Sequence, residues 1–412
     1  MQIPDKAPTN ALLDHMRYLA DPVADATVSH IVGPWNDVPP LAGIEDSQRI
    51  NADQWQRLGP VNRLFGKWQN NGSLIGWKAH DPATPPDIAA KLEDYVKAAQ
   101  ALPDWADPAK IELAETVFLD HGILSCTLLF CSSLPECYVT PDLASVLHVS
   151  GELERNTDYR IRATAAMIFP VMMPGGLAGT DGSGVAQILK VRLIHATIRN
   201  LILHGNPEEV AGVVHSDSQT PPHKVLSSLP NMRLNADMQQ NLFGLGWDLS
   251  DNGLPCNQEE LAYTVLTFSY VFRRSLRRLG LGLSHADEEA YLHAWNVVGH
   301  ILGIRRELMV DTMDQAARLF ALIQARGRAR ELEPDQRPAL TRALMQTMVS
   351  VSPFGLLKPV PNMLTIHLCG RNHAKVLRLH HAAVCGPRFL FAIVLLLVCG
   401  IAPLGRSRTH GP

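Results

Sequence analysis

The chain has 412 residues, 46% of them hydrophobic and 19% charged, and carries a formal net charge of −3. That is ample apolar material for a large buried core, and with no basic surplus there is no electrostatic case for a nucleic-acid partner. The seven cysteines include no CxxC pair, and Cys126, Cys131 and Cys137 cluster without zinc-ligand spacing, so they read as reduced thiols rather than a metal or disulfide framework.

The opening MQIPDKAPTNALLDHMRYLADP lacks a basic stretch followed by an apolar one, so the expectation is no signal peptide and a cytoplasmic protein. The first hundred residues are broken by proline and carry tryptophans at 35, 55, 68 and 77; they predict short helices and loops wrapping something else. Denser helical patterning begins near Ile111, with one helix expected from Pro108 to Leu119. The apolar run HGILSCTLLFCSSLPECYV then ends in a turn at Pro135. In NTDYRIRATAAMIFPVMM, Asn156 to Met173, Pro170 should kink or end a helix.

The glycines of PGGLAGTDGSG do not make a phosphate loop. A Walker A motif needs Lys-Ser/Thr after its last glycine, and Val185 follows Gly184; a dinucleotide fingerprint needs a preceding strand, and the preceding pattern is helical. A flexible interhelical loop is expected instead. Further on, Asn257 with Glu260 in NQEE, and Ser284 ahead of Asp287 to Glu289, mark two helix starts. His293 and His300 share a face of the second helix. They stand two turns apart, about 10 Å along a straight axis, too far to bind one metal, so packing or supporting roles are expected.

Beyond about Arg328, charge and proline mark a linker. The C-terminal run FLFAIVLLLVCGIA, Phe389 to Ala402, has 14 residues without a charge. A spanning helix needs about 20, which leaves a buried terminal helix or a membrane-dipping segment making peripheral membrane contact. Clear strand alternation and internal repeats are not visible. The expected fold class is all-α, with an N-terminal wrap over 1–109, a helical core over 110–325 and a C-terminal helical extension over 326–412, together one structural unit.

The segment VRLIHATIR places His195 on the helix face of Ile188, Val191, Ile198 and Ile202, flanked by Arg192 and Arg199. A neutral core imidazole with hydrogen-bonded nitrogens explains it. So does a b-type haem, with His195 on iron, apolar side chains over the porphyrin and Arg192 and Arg199 at the propionates. With no CxxCH the haem would be non-covalent. Arg160, Thr164 and Ile168 form one stripe of the helix before the glycine loop, where a guanidinium and a hydroxyl over iron could polarise dioxygen; a surface ion pair and a back-bonded threonine explain the same stripe. Spacing alone does not choose.

The run FLDHGILSCTLLFCSSLPECYVTPDLASVL, together with TDYRIRATAAMIFPVMMPGGL, VRLIHATIR, GLPCNQEELAYT and AYLHAWNVVGHILGI, resembles the latex clearing protein family, the rubber oxygenases grouped with oxygenases of the fungal mycophenolic-acid pathway. The resemblance covers roughly residues 110 to 325, with weaker similarity at DPVADATVSHI. It implies a globin-like helical core holding one non-covalent haem b, with His195 as the proximal iron ligand. The family's distal Arg-x-x-Lys-Thr falls on RIRAT, so Arg160 and Thr164 keep their places, while Ala163 replaces the lysine that can ligate iron. The family's glutamate base has no clear match, since Glu152 and Glu154 are both near.

The resemblance implies a haem-dependent oxygenase using dioxygen to cleave a carbon–carbon double bond of a small apolar, isoprenoid-like substrate. Met167, Ile168 and Met172 would line the pocket. The alternatives are a non-catalytic haem- or lipid-binding helical protein on the same scaffold, and a haem peroxidase or hydroxylase.

Overall fold

Helices begin here where a side chain stands ready to accept the first free backbone N–H groups. In the computed structural model, which describes residues 8–35, 52–151, 157–210, 225–226, 242–243, 245, 247–328, 335–350 and 357–379, Thr9 caps α1 (Asn10–Met16) and Asp21 caps α2 (Pro22–Val32), whose first position is proline. Then come α3 (Ala52–Phe65) and α4 (Pro86–Ala99). Asp107 accepts from Ala109 and Lys110 to start α5 (Pro108–Asp120). The apolar run that follows forms α6 (Gly122–Leu128), a π-helical turn over Leu129–Ser133 and the short α7 (Leu134–Cys137).

Next are α8 (Pro141–Gly151), α9 (Thr157–Met172) and α10 (Gly184–Leu203). Pro170 sits in the last turn of α9, which stops two residues later. After α11 (Leu249–Asn252), the sequence-expected caps appear as read. Asn257 accepts from Glu260 N–H to start α12 (Gln258–Phe268), and Ser284 accepts from Asp287 N–H to start α14 (His285–Ile301); α13 (Tyr270–Arg278) lies between. The chain continues through α15 (Met313–Arg328), α16 (Arg337–Ser350), α17 (Val360–Cys369) and α18 (Arg371–Val376). Among the described residues the strands are one antiparallel pair, Val225–Leu226 with Trp247–Asp248. The fold is all-α.

The core forms where α14 packs on α5, α9 on α10, α10 on α2, and α2 on α4. Trp68, Trp295, Tyr95, Tyr263 and Tyr291 are fully buried within it, each bringing the large apolar area of an aromatic ring. Contacts cross the boundaries drawn at 109 and 325. The Asp107 N–H donates to His293 Nε2 at 2.8 Å, and Gln258 Nε2 donates to the carbonyls of Ala20 and Gly303. At the C-terminal side, buried Glu136 accepts from Arg274 and from Gln324 Nε2 (2.8 Å) and lies 2.9 Å from His373 Nδ1, which fastens α18 to the core.

The loop between α9 and α10 is the reverse of slack, which corrects the expectation of flexibility. Its N–H groups at Gly175 and Gly176 donate to the buried Glu115 carboxylate at 2.9 and 3.1 Å. From the other side, Asn71 Nδ2 donates to the carbonyls of Gly176 and Gly179, and its Oδ1 accepts from Ala186 N–H at the start of α10. A Cβ on Gly182 or Gly184 would collide with backbone of the same loop, and one on Gly176 with carbonyls at the end of α9. These glycines serve close approach, a use that glycine alone permits.

Cys126, Cys131, Cys137, Cys256 and Cys369 are free thiols. Burial pushes the Cys131 and Cys256 thiols up to about 12, so they stay protonated and unreactive. Among the described residues no single helix is long and apolar enough to cross a membrane. The segment 389–402 lies outside the described residues.

Candidate active site

The site is built on α10. Its inward face carries Ile188, Leu189, Ala196, Ile198 and Ile202, all buried, with Val191 partly buried against the core. Tyr95 on α4 donates to the Leu189 carbonyl (2.9 Å), and Trp35 donates to Asn200 Oδ1 (2.7 Å), so the helix is held by the N-terminal region along its length. His195 sits mid-helix, only partly accessible. Burial, reinforced by the positive charge of Arg199 and opposed by Asp21, lowers its pKa to about 4. The ring is therefore neutral near pH 7. Its Nδ1 is buried without a hydrogen-bond partner, an unusual state for a core polar atom.

Arg192 and Arg199 both find partners within the protein. Arg192 makes a two-pronged ion pair with Asp21, Nε to Oδ2 at 2.5 Å and Nη2 to Oδ1 at 2.8 Å, and its Nη1 donates to the Ile301 carbonyl at 3.0 Å. Arg199 Nε donates to Asp25 Oδ1 at 2.8 Å and its Nη1 to the Cys256 carbonyl at 2.8 Å. Both are buried, Arg199 completely. Through these aspartates and carbonyls the two arginines brace α10 against α2, α14 and the segment before α12.

On the facing helix α9, Thr164 is half-buried, Ile168 and Met172 are buried in the core, and Met167 packs partly buried against it. For Arg160 and Ala163 the described part is the backbone, which places them four and one residues before Thr164 on that helix. Glu152 and Glu154 lie outside the described residues. The packing of α9 on α10 thus brings the element of the distal motif against the element of His195. Among the described residues no three His, Cys, Asp or Glu side chains converge as a metal cluster, which a site with a single histidine ligand does not need.

His293 and His300 stand apart from this site. Their rings meet the Trp105 ring edge-on at 5.7 and 6.0 Å, and Arg306 stacks over it at 5.1 Å, beside an open cleft of about 250 Å³. The two histidines pack an aromatic cluster. The residues that sequence reasoning missed are Asp21, Asp25, Glu115, Asn71 and Gln258. Two of them fall in DPVADATVSHI, an upstream stretch of weaker similarity.

Residues 246–395 match the family model described as "ER-bound oxygenase mpaB/B'/Rubber oxygenase, catalytic domain". The rubber oxygenase of Streptomyces sp. (strain K30) is 24% identical over 251 residues, 60% of this chain and 51% of that protein, so the chain spans about half the length of the curated relative it matches. The solved structure of latex clearing protein LCP in the closed state superposes with a TM-score of 0.65 at 20% identity, over 95% of this chain and 87% of that one, a likeness of fold. Ordered motifs, helical architecture and these comparisons agree in likening the chain to the latex clearing protein family.

Proposed function

We propose that this chain is an oxygenase that holds one non-covalent haem b on His195 and uses dioxygen to cleave a carbon–carbon double bond in a small apolar, isoprenoid-like substrate. The observation that carries the reading is the state of His195: uncharged, enclosed, with a buried Nδ1 that no protein group satisfies, on a helix packed against α9. A histidine kept for packing has its ring nitrogens hydrogen-bonded. An uncharged imidazole whose Nδ1 has no protein partner fits an axial ligand that would hold iron through its other nitrogen, Nε2. The family resemblance and the rubber oxygenase relative support the substrate class.

Haem, when bound, supplies the iron that binds and activates dioxygen. The chain's part is to hold His195 on a braced helix, to keep the surroundings dry, and to offer Arg160 and Thr164 from α9 as polar groups toward developing charge. Met167, together with the apolar packing of Ile168 and Met172 behind it, keeps that side suited to a hydrocarbon. Ala163 brings no nitrogen ligand to the position of the family lysine.

Freshly purified protein is expected to show a Soret band that is lost or altered in His195→Ala, and to consume dioxygen only when an alkene substrate is present. Wild-type protein from haem-replete cells with no bound haem would overturn the reading. Thr164→Val is expected to keep the haem and to slow turnover about tenfold, the effect of roughly 1.4 kcal/mol in the barrier; an unchanged rate would remove Thr164 from the site.

A further inference from the structure

His195 lies one helical turn from Arg192 and one turn from Arg199, and each of these arginines is paired with an acid from the start of α2. Asp21 gives both oxygens to Arg192. Asp25 takes Arg199 on one oxygen and the Asp21 backbone N–H, at 2.9 Å, on the other. The arginines' further donors end on the carbonyls of Ile301 and Cys256. The four side chains form a closed set that α2 delivers from 171 and 174 residues away, and Nδ1 of His195 is left outside it.

In a metal site the partner of a histidine's second nitrogen sets how strongly the first one donates. A carboxylate acceptor draws the ring toward imidazolate, strengthens donation and favours ferric iron. With no acceptor the ring stays a neutral, weaker donor, and the ferrous state that binds dioxygen is favoured. We propose that the ion pairs Asp21–Arg192 and Asp25–Arg199 are positioning devices that lock carboxylate charge away from His195, so that it serves as a neutral, weakly donating axial ligand. The inference rests on the haem reading above and sharpens it, because it sets this site apart from a peroxidase-type proximal pair of histidine and carboxylate.

The test uses the full-length haem-loaded protein and two readouts, the midpoint potential of the iron and the iron–histidine stretching frequency of the ferrous form. Wild type is expected to show a stretch typical of a neutral imidazole. Arg192→Gln leaves Asp21 uncompensated, and should lower the potential and raise the stretch. The double replacement Asp21→Asn with Arg192→Gln removes both charges and should return both readouts to wild-type values. If Arg192→Gln does not fold, Arg199→Gln with and without Asp25→Asn makes the same comparison at the second pair. A wild-type stretch already typical of imidazolate, or readouts that do not move in the single variants, would overturn this inference while leaving the haem reading intact. Protein that binds no haem would overturn both.

Discussion

Glu136 has no solvent contact, yet it is an ion. Burial alone would push its carboxyl up; Arg274 first, then His373, hold it below the ordinary glutamate value of 4.5. Because the folded-state value lies below the unfolded one, the stabilisation is complete above about pH 4.5 and drains away as pH falls through the lower, folded value. Glu136→Gln strands Arg274 as a buried cation and is expected to cost about 3 kcal/mol at pH 7, read from urea unfolding, with the gap to wild type closing as the pH drops toward 3. At this scale His195 was legible, because one polar residue interrupts an apolar helix face. Asp21 and Asp25 were not. An acid at a helix N-cap and another four residues on read as helix-start chemistry, and nothing local points to arginines more than a hundred and seventy residues away. The arginines were visible, but their partners were not, and it is the partners that decide what a buried guanidinium does.

Elements were easier where the signal is local. The caps at Asn257 and Ser284 were readable because Ncap chemistry involves four consecutive residues, and Pro108 at the first turn of α5 follows the same logic. Asn257 is buried and also donates to the Leu254 carbonyl, so Asn257→Ala is expected to cost about 1–2 kcal/mol, measurable as a lowered thermal midpoint. The α9–α10 loop was misread because glycine enrichment signals conformational freedom and close packing equally well. Within that loop only Gly175 has a positive φ; the others are there for space. A Cβ on Gly184 would sit 2.5 Å from the Gly176 carbonyl oxygen and 3.0 Å from Val171 Cα. Gly184→Ala is therefore expected to destabilise by about 2–3 kcal/mol and, by shifting α10 against α9, to weaken haem retention. A stable variant with an unaltered Soret band would show that the loop does not set the helix spacing.

Over the described residues, segments far apart in the chain are tied together by single buried side chains. Gln258 is fully buried, donates to Ala20 and Gly303, and accepts from Arg305 N–H, so one side chain joins three distant segments. Deleting residues 1–32 removes α2 and both aspartates, and is expected to yield protein that neither holds haem nor unfolds cooperatively. Truncation before Phe389 separates the two readings of the apolar tail. Release from a membrane fraction with unchanged thermal stability marks a membrane-dipping segment, whereas a lowered thermal midpoint with unchanged fractionation marks a packed helix. The tail's role was not legible because its 14 uncharged residues fall between the lengths suited to the two environments.

The distance between the acids of α2 and the arginines of α10 also bears on how relatives should be sorted. The stretch that matches the family model, 246–395, lies wholly downstream of His195, Arg192, Arg199 and the two aspartates. A chain could match that stretch and lack the counterpart of His195 altogether. Relatives are better grouped by whether an Arg-x-x-His-x-x-x-Arg run is matched, far upstream, by two acids four residues apart.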